Sequence, residues 1–310
     1  MGAGRVVVIT GGSSGIGRAT ALACARRGDR LVLAARSLDS LRSAEQECLA
    51  AGAQTLVLTT DVADQAAVDA LLAAAVARFG RVDAVVHSVT VVAYGRFEDV
   101  PAAAFDRVIA STLTGTANVA RSALRVFRQQ GGGKLVLVGS LLGKIVTPYM
   151  SSYVTAKWAV QGLARTLQVE ARSTPGIDIS LVSPGSVDTP VYRQAASYSG
   201  RDGRPPPPVD PPEKVARAVL RCLDRPRRDL SVGLANPFAV LGFRTLPALF
   251  DLLVTPLMNL GGLVRSRTGR HDGNVFEPQP AGDKIHGGWR RRRRRRRRGN
   301  VGAGGHHDPG

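Results

Sequence analysis

Short apolar runs alternate with longer stretches of helical periodicity from residue 5 to about residue 233. The apolar runs predict strands at 5–10, 31–36, 53–59, 82–87, 134–140, 177–182 and 230–233. The stretches between them predict helices at 15–27, 38–51, 64–79, 101–130, 151–172 and 212–223. Strands that are apolar throughout are buried on both faces, which is typical of a parallel sheet covered by helices. With right-handed crossovers, the pattern predicts a doubly wound α/β fold.

Three segments depart from this alternation. Residues 183–211 are rich in Pro and Gly, and we expect a long loop over the carboxyl edge of the sheet. Residues 236–264 are strongly apolar. Residues 270–310 are polar, rich in Gly and low in complexity, so little fixed structure is expected there. The predicted organisation is a single α/β domain at 1–233, an apolar extension at 234–270 and a low-complexity tail at 271–310.

The apolar extension allows two interpretations. Residues 245–264 contain one charge, Asp251, and are long enough to cross a bilayer, but Pro247, Pro256 and the central acid disfavour a spanning helix. The segment could form short helices that cover a substrate cleft or a subunit interface. Alternatively, it could lie in a membrane surface, helped by neighbouring arginines. Either interpretation favours an apolar substrate.

The overall composition agrees with the predicted fold, and the charge is concentrated in the tail. The 44% hydrophobic and 21% charged residues are typical of a soluble globular protein. Nine consecutive arginines at 290–298 supply half of the net charge of +18, so charge does not predict that the folded domain binds nucleic acid. The arginine run is predicted to be a solvated tail, and the alternative is a non-specific anchor for nucleic acid or anionic lipid. Residues 273–289, which end in an isolated Trp, could pack back on the domain as an ordered arm.

Cysteine content argues against two kinds of site. The three cysteines, Cys24, Cys48 and Cys222, form no CxxC pair, so neither a disulfide framework nor a metal site is predicted. The chain enters an apolar strand almost at once and shows no signal-peptide pattern. A cytoplasmic location is therefore the expectation.

A glycine-rich loop, TGGSSGIG at residues 10–17, lies between the first predicted strand and the first predicted helix. Gly11, Gly15 and Gly17 allow a sharp turn and a close approach of a pyrophosphate to the backbone. The helix N-terminus beyond the loop offers free N–H groups and the positive end of the helix dipole. This strand–turn–helix context predicts a dinucleotide-binding loop.

Further motifs follow this loop in a defined order. They are Asp61-Val62 after the third predicted strand, Ser140 at the end of the fifth, Tyr153 and Lys157 in a Tyr-x-x-x-Lys pattern, and Ser183-Pro184-Gly185 followed by Thr189. Together with TGxxxGxG, this order resembles the short-chain dehydrogenase/reductase family over residues 5–233. The resemblance implies a Rossmann fold, a nicotinamide cofactor, a small carbonyl or alcohol substrate, and a homo-oligomer assembled through helices 101–130 and 151–172.

The resemblance also implies which residues contact the cofactor. They are Gly11, Ser13, Ser14, Gly15, Ile16, Gly17, Arg36, Asp61, Val62, His87, Tyr153, Lys157, Pro184, Gly185, Val187 and Thr189.

The end of the second predicted strand indicates which cofactor is preferred. A carboxylate there would bind a ribose 2′-hydroxyl and repel a 2′-phosphate. Residues 34–37 contain no acid, and Arg36 can pair with a 2′-phosphate through its planar guanidinium. We therefore expect NADP(H) to be preferred over NAD(H).

The catalytic prediction rests on three side chains. Tyr153 and Lys157 lie four residues apart on a predicted helix and share a face. A nearby ammonium would stabilise the phenolate of Tyr153, which could then exchange a proton with a substrate oxygen. Ser140 could hydrogen-bond the same oxygen and orient it. In the family that the chain resembles, the lysine also holds the nicotinamide ribose.

Two positions depart from the family pattern. His87-Ser88-Val89-Thr90 replaces the usual Asn-Asn-Ala-Gly, and Thr112 replaces an Asn that helps hold a water near the lysine. A hydroxyl reaches less far than an amide, so these changes bear on proton delivery. His87 could titrate near neutral pH and partly substitute, or it could be a histidine tolerated at a strand end.

The leading hypothesis is an NADP(H)-dependent oxidoreductase that interconverts a carbonyl and a secondary alcohol on an apolar substrate. One alternative is a non-catalytic nucleotide-binding protein, acting as a redox sensor or an interaction partner. Another is a protein that binds nucleic acid or a membrane surface through the arginine run.

Overall fold

The computed structural model describes residues 4–290 of the chain. The strands are β1 (Val6–Thr10), β2 (Arg30–Ala35), β3 (Thr55–Thr59), β4 (Ala84–His87), β5 (Ala93–Tyr94), β6 (Gly133–Val138), β7 (Ile177–Pro184), β8 (Ala196–Ser197) and β9 (Asp229–Val232). The α-helices are α1 (Gly15–Ala25), α2 (Leu38–Ala50), α3 (Gln65–Phe79), α4 (Ala102–Ile109), α5 (Gly115–Gln130), α6 (Ser151–Glu170), α7 (Val191–Gln194), α8 (Pro212–Asp224), α9 (Asn236–Thr245) and α10 (Pro247–Gly261). The predicted arginine tail falls outside the described residues, apart from Arg290.

Seven strands form one parallel sheet in the order β3-β2-β1-β4-β6-β7-β9. Side chains alternate between its faces, so that Val7 and Ile9 of β1 pack with α1, α2 and α8, whereas Val6 and Val8 pack with α3, α5 and α6. Both faces are covered, which explains why the strands are apolar throughout. This confirms the predicted doubly wound α/β fold.

The stretch predicted as a single helix at 101–130 is interrupted. A π-helical turn at Ala110–Thr114 separates α4 from α5. The hydroxyl of Thr116 donates to the carbonyl of Thr112, which competes with the regular helical ladder. Gly115 also packs tightly, since a Cβ there would lie 2.5 Å from the side chain of Val62. Periodicity alone does not show such a local widening.

The apolar extension forms the two helices α9 and α10. Large side chains on them remain exposed, including Phe238 at 77% and Leu252 at 70%, and Leu234 just before α9 is 83% exposed. Among the described residues, the helices are too short or too polar to cross a membrane.

The expectation of little fixed structure from residue 270 is wrong for residues 270–290. Residues 271–290, which we call the C-terminal arm, lie against the domain. Val275 is fully buried, the Tyr198 hydroxyl donates to Asp272 at 2.7 Å, and the Trp289 amide donates to Asp188 at 2.8 Å. The composition of the arm did not predict this fixed structure. The arm is held by a few single side chains and by backbone groups, and a sequence of low complexity can supply both.

Candidate active site

The loops at the carboxyl ends of the strands enclose a cavity of about 880 Å³. It lies where β1 and β4 are neighbours and the direction of winding reverses, the usual ligand position in doubly wound sheets. Every site residue predicted from the sequence lines this cavity except Gly17 and His87. Those that line it are Gly11, Ser13, Ser14, Gly15, Ile16, Arg36, Asp61, Val62, Ser140, Tyr153, Lys157, Pro184, Gly185, Val187 and Thr189.

The glycine-rich loop has the shape of a phosphate cradle. Gly11 and Gly15 adopt positive φ angles of 76° and 51°, which favour glycine. A Cβ on Gly17 would lie 2.0 Å from the carbonyl oxygen of Gly11, so Gly17 allows α1 to pack against the loop rather than lining the cavity. Within the described chain, Ser14 precedes α1 without a side-chain capping bond, and the first turn carries no acid. These features leave the amides at the start of α1 suited to an anion, and the residues present fit a dinucleotide.

Arg36 and Asp61 line the cavity beyond the ends of β2 and β3, and Arg107 lies beside Asp61. Asp61 accepts hydrogen bonds from Arg107 and from the backbone of Ala63. Burial lowers the pKa of Arg36, and the nearby charge of Arg107 lowers it further. The carboxylates of Asp61, Glu277 and Asp283 act on Arg36 in the opposite direction to Arg107. The guanidinium of Arg36 remains a planar donor that can bind an anionic group.

Ser140, Tyr153 and Lys157 meet in the same cavity. Ser140 follows β6, and its hydroxyl accepts a hydrogen bond from the Leu142 amide at 3.1 Å. Tyr153 and Lys157 lie one turn apart on α6, with the Lys157 Nζ 5.7 Å from the centre of the Tyr153 ring. Lys157 Nζ also donates to the Val138 carbonyl at 3.0 Å, which fixes the ammonium beside the tyrosine.

Burial dominates the electrostatics of this trio. It raises the pKa of Tyr153 above its ordinary value, and a hydrogen bond with Ser140 opposes the rise. It also lowers the pKa of Lys157 to about 8. Both effects follow from the cost of a charge away from water. The simple expectation of a phenol acidified by its lysine therefore differs from the structure, in which Tyr153 holds its proton at neutral pH.

His87 lies beneath the cavity rather than in it. Its Nδ1 is 2.8 Å from the Thr10 hydroxyl, and the residue is 2% exposed. Burial lowers the pKa of His87 to about 3, and the charge of Lys157 acts in the same direction. The hypothesis that His87 titrates near neutral pH is therefore wrong, and the structure has a buried neutral imidazole at a strand end.

Thr112 lies in the π-helical turn, within 3.1 Å of the Thr90 hydroxyl. The two departures from the family pattern therefore pair with each other. The adjacent Ser111 lines the cavity, and its buried hydroxyl has no hydrogen-bond partner among the described residues. Hydroxyl groups thus stand where the family has an amide, and Ser111 is a polar group that sequence reasoning missed.

Other walls of the cavity come from segments without a recognisable motif. Tyr94 is buried and Tyr192 half-buried in its wall, and α9 and α10 form an apolar side. The C-terminal arm contributes Asn274, Gln279 and Asp283. The only sequence signal for the arm was its isolated Trp289, so its entry into the site was not foreseen.

Metal ligands are not gathered anywhere in the part of the chain that the structure describes. No three His, Cys, Asp or Glu side chains between residues 4 and 290 are placed to share an ion. Cys24, Cys48 and Cys222 are buried and free.

Comparison with known proteins finds sequences that are similar to this chain. A family model described as short chain dehydrogenase matches residues 5–199. An uncharacterised oxidoreductase of Bacillus subtilis, YxnA, is 33% identical over 260 residues, which cover 82% of this chain and 72% of YxnA. This second match is longer than the family model and extends past the α/β core.

Two solved structures have a similar fold. The crystal structure of levodione reductase matches with a TM-score of 0.68 and 29% identity, covering 76% of this chain and 98% of that one. An alcohol dehydrogenase from the archaeon Thermococcus sibiricus, complexed with 5-hydroxy-NADP, matches with a TM-score of 0.62 and 31% identity over 74% of this chain and 93% of that one. The chain therefore belongs to the short-chain dehydrogenase/reductase family, whose members are oxidoreductases acting on alcohol and carbonyl groups.

Proposed function

We propose that this protein is an NADP(H)-dependent oxidoreductase that interconverts a carbonyl and a secondary alcohol on an apolar substrate. The observation that carries the proposal is the meeting of Ser140, Tyr153 and Lys157 with the glycine-rich loop in one cavity. A proton donor, an orienting hydroxyl and a phosphate cradle in one space are what such a reaction requires.

Each of the three side chains has a distinct task. Tyr153, protonated at neutral pH, gives its proton to the substrate oxygen during reduction and takes it back during oxidation. Ser140 donates a hydrogen bond to the same oxygen and orients it. Lys157 stabilises the phenolate left on Tyr153 and also holds the nicotinamide ribose. The bound cofactor supplies or accepts the hydride.

The preference for NADP(H) rests on the end of β2. Arg36 lines the cavity at the end of β2, where the adenosine ribose of the cofactor would lie, and residues 34–37 contain no acid that would repel a 2′-phosphate. Arg107 adds a second positive charge nearby. An arginine fork binds a phosphate in two places at once, which a neutral ribose hydroxyl does not match.

The apolar character of the substrate rests on the opposite wall. Phe250, Leu253 and Met258 of α10 line the cavity beside Tyr192. Burying an apolar ligand surface against them would stabilise the complex. We propose that α9 and α10 cover the substrate cleft.

The outward faces of α9 and α10 favour a second contact, with a membrane surface. Leu234, Leu241 and Leu252 do not line the cavity and are more than half exposed, and Arg244 and Arg265 flank the apolar segment in the sequence. An amphipathic element of this kind suits the interface of an anionic bilayer. Wild-type chain should sediment with anionic vesicles and the Leu252→Glu variant less; equal sedimentation of the two would contradict this contact. Homo-oligomeric assembly and a cytoplasmic location stay predictions.

The test of the proposed function is turnover by a matched pair of phenol variants. Wild-type protein should reduce members of a panel of apolar ketones with NADPH. Tyr153→Phe should lose at least about a hundredfold in rate because the proton donor is gone, yet still bind NADPH. Tyr192→Phe, which removes another half-buried phenol from the same cavity, should keep most of the activity.

Full activity in Tyr153→Phe would refute the mechanism. Binding of NADPH without turnover on any ketone or alcohol of the panel would instead favour the non-catalytic nucleotide-binding alternative.

A further inference from the structure

The C-terminal arm binds the guanidinium of Arg36, the group that we assign to the 2′-phosphate of the cofactor. The guanidinium of Arg36 donates to three successive backbone carbonyls of the arm, those of Asn274 at 2.5 Å, Val275 at 3.2 Å and Phe276 at 2.9 Å. Three acceptor oxygens converging on one guanidinium resemble the oxygens that a phosphate would present. The carbonyl oxygens of the arm therefore accept hydrogen bonds from the N–H groups of Arg36 that would otherwise bind the 2′-phosphate.

The arm also reaches the phosphate cradle. The backbone N–H of Gly15, at the start of α1, donates to the carbonyl of Lys284 at 2.9 Å. This N–H belongs to the first turn of the helix, where amides have no partner within the helix and suit an anion. A carbonyl oxygen of the chain therefore takes a donor that a pyrophosphate oxygen would use.

Negative charge accompanies these oxygens. The carboxylates of Glu277 and Asp283 both act electrostatically on Arg36. Asp283 is held in place by a hydrogen bond from Gln194 at 2.8 Å. The arm therefore carries acceptor oxygens and acidic groups along the same path that the anionic half of a dinucleotide would follow.

The arm is anchored at both ends of this path. Val275 is fully buried and packs with Val91, Val108 and Tyr198. At the far end, Trp289 packs against Tyr192 and Arg193 of α7. The contacts with Arg36 and Gly15 therefore belong to a seated segment and are not isolated.

We propose that residues 274–284 of the arm are an internal ligand of the cofactor site, which NADP(H) must displace from Arg36 and Gly15 in order to bind. This inference rests on the proposed function. NAD(H), which has no 2′-phosphate, competes less directly for Arg36. The apparent affinity for NADP(H) is therefore the intrinsic affinity multiplied by the fraction of molecules in which the arm is not seated.

The first experiment unseats the arm without touching the cofactor groups. Val275→Asp places a charge in a fully buried position of the arm, whereas the control Leu252→Asp makes the same kind of change at a 70% exposed position of α10. Calorimetric titration with NADP⁺ should show about tenfold tighter binding to Val275→Asp than to wild type, as expected if about nine molecules in ten have a seated arm. Leu252→Asp should match wild type, and NAD⁺ affinity should change less than NADP⁺ affinity.

Equal or weaker NADP⁺ binding by Val275→Asp would overturn the inference and show that the arm supports the cofactor instead of competing with it. In that case wild type still binds NADP⁺, and the proposed function stands. If no variant binds either dinucleotide, the cofactor site itself is refuted, and both proposals fall.

The second experiment needs no variant. Lys284 is exposed and is the one lysine of the arm, so an endoproteinase specific for lysine reports the release of the arm without cutting the arginine run. NADP⁺ should speed cleavage after Lys284 several-fold, and NAD⁺ should speed it less. Slower cleavage with NADP⁺ would mean that the cofactor and the arm bind together, which contradicts displacement.

Discussion

Two regions of this chain are similarly apolar in sequence but are buried to very different extents. All five residues of β1 are buried, whereas Met258 is the buried residue of α10. The strand lies between two helical layers, and the helix covers a cavity on one side and meets solvent on the other. An apolar sequence therefore indicates burial only where the fold supplies a second surface to pack against. Elsewhere, an apolar segment indicates an exposed surface suited to a ligand, another protein or a membrane.

The largest expected effect sharpens this contrast at two glycines. Gly17→Ala places a Cβ 2.0 Å from the Gly11 carbonyl oxygen, so the backbone of the cofactor loop must shift. We expect the free energy of unfolding to fall by about 3 kcal/mol or more, with NADPH binding lost. Chemical denaturation and NADPH titration measure both.

Gly162→Ala is the matched control. Gly162 lies inside α6 with open space around it, so Ala should raise the free energy of unfolding by roughly 0.5–1 kcal/mol. Equal effects at the two positions would show that the cofactor loop is not tightly packed.

The next effect compares two leucines. Leu33 of β2 is fully buried and Leu252 of α10 is 70% exposed. Leu33→Ala should lower the free energy of unfolding by about 2–5 kcal/mol, because it removes buried surface and leaves a cavity. Leu252→Ala should change it by less than about 0.5 kcal/mol. A large loss at Leu252 would mean that the outer face of α10 is covered in solution.

Most of the α/β core was predictable because its signals are local. The strands are continuous apolar runs, and the motifs around Gly11, Ser140 and Tyr153 stand at strand ends or on a helix. A parallel sheet brings such positions to one edge, which is why nearly all the predicted residues share a cavity. Gly17 was placed in the right loop, but its role is packing.

The remainder depended on contacts that are distant in sequence. Arg36 and Val275 are 239 residues apart, and no periodicity marks the carbonyl that Arg36 binds. The burial of His87 was equally hidden, since its pKa depends on neighbours from other elements. The residues that make these contacts can be read from the sequence, but which residue contacts which follows only from the three-dimensional fold.

A smaller effect is expected from pH. Lys157 has a pKa of about 8, lowered by burial, so it is charged below that pH and neutral above it. In the proposed mechanism, the charge on Lys157 stabilises the phenolate formed when Tyr153 gives up its proton. We therefore expect kcat/KM for ketone reduction to be level near pH 7 and to fall as pH rises above about 8. A pH–rate profile measures this, and a profile level to about pH 10 would contradict it.

The smallest effect is expected at His87. His87→Asn should leave the shape of that pH–rate profile unchanged, because the buried imidazole stays neutral throughout the range. A shifted profile would restore a role for His87 in proton delivery.

The central claim is that the cavity at the carboxyl edge of the sheet binds NADP(H) through the glycine-rich loop and Arg36. Thermal unfolding of the wild-type chain with NADPH, with NADH and with neither tests it without knowledge of the substrate. A ligand at about 100 times its dissociation constant stabilises a fold by about 2.7 kcal/mol, which is readily measured. We predict a clear rise in unfolding temperature with NADPH and a smaller one with NADH at equal concentration. An equal or larger rise with NADH, or none with either, would contradict the claim.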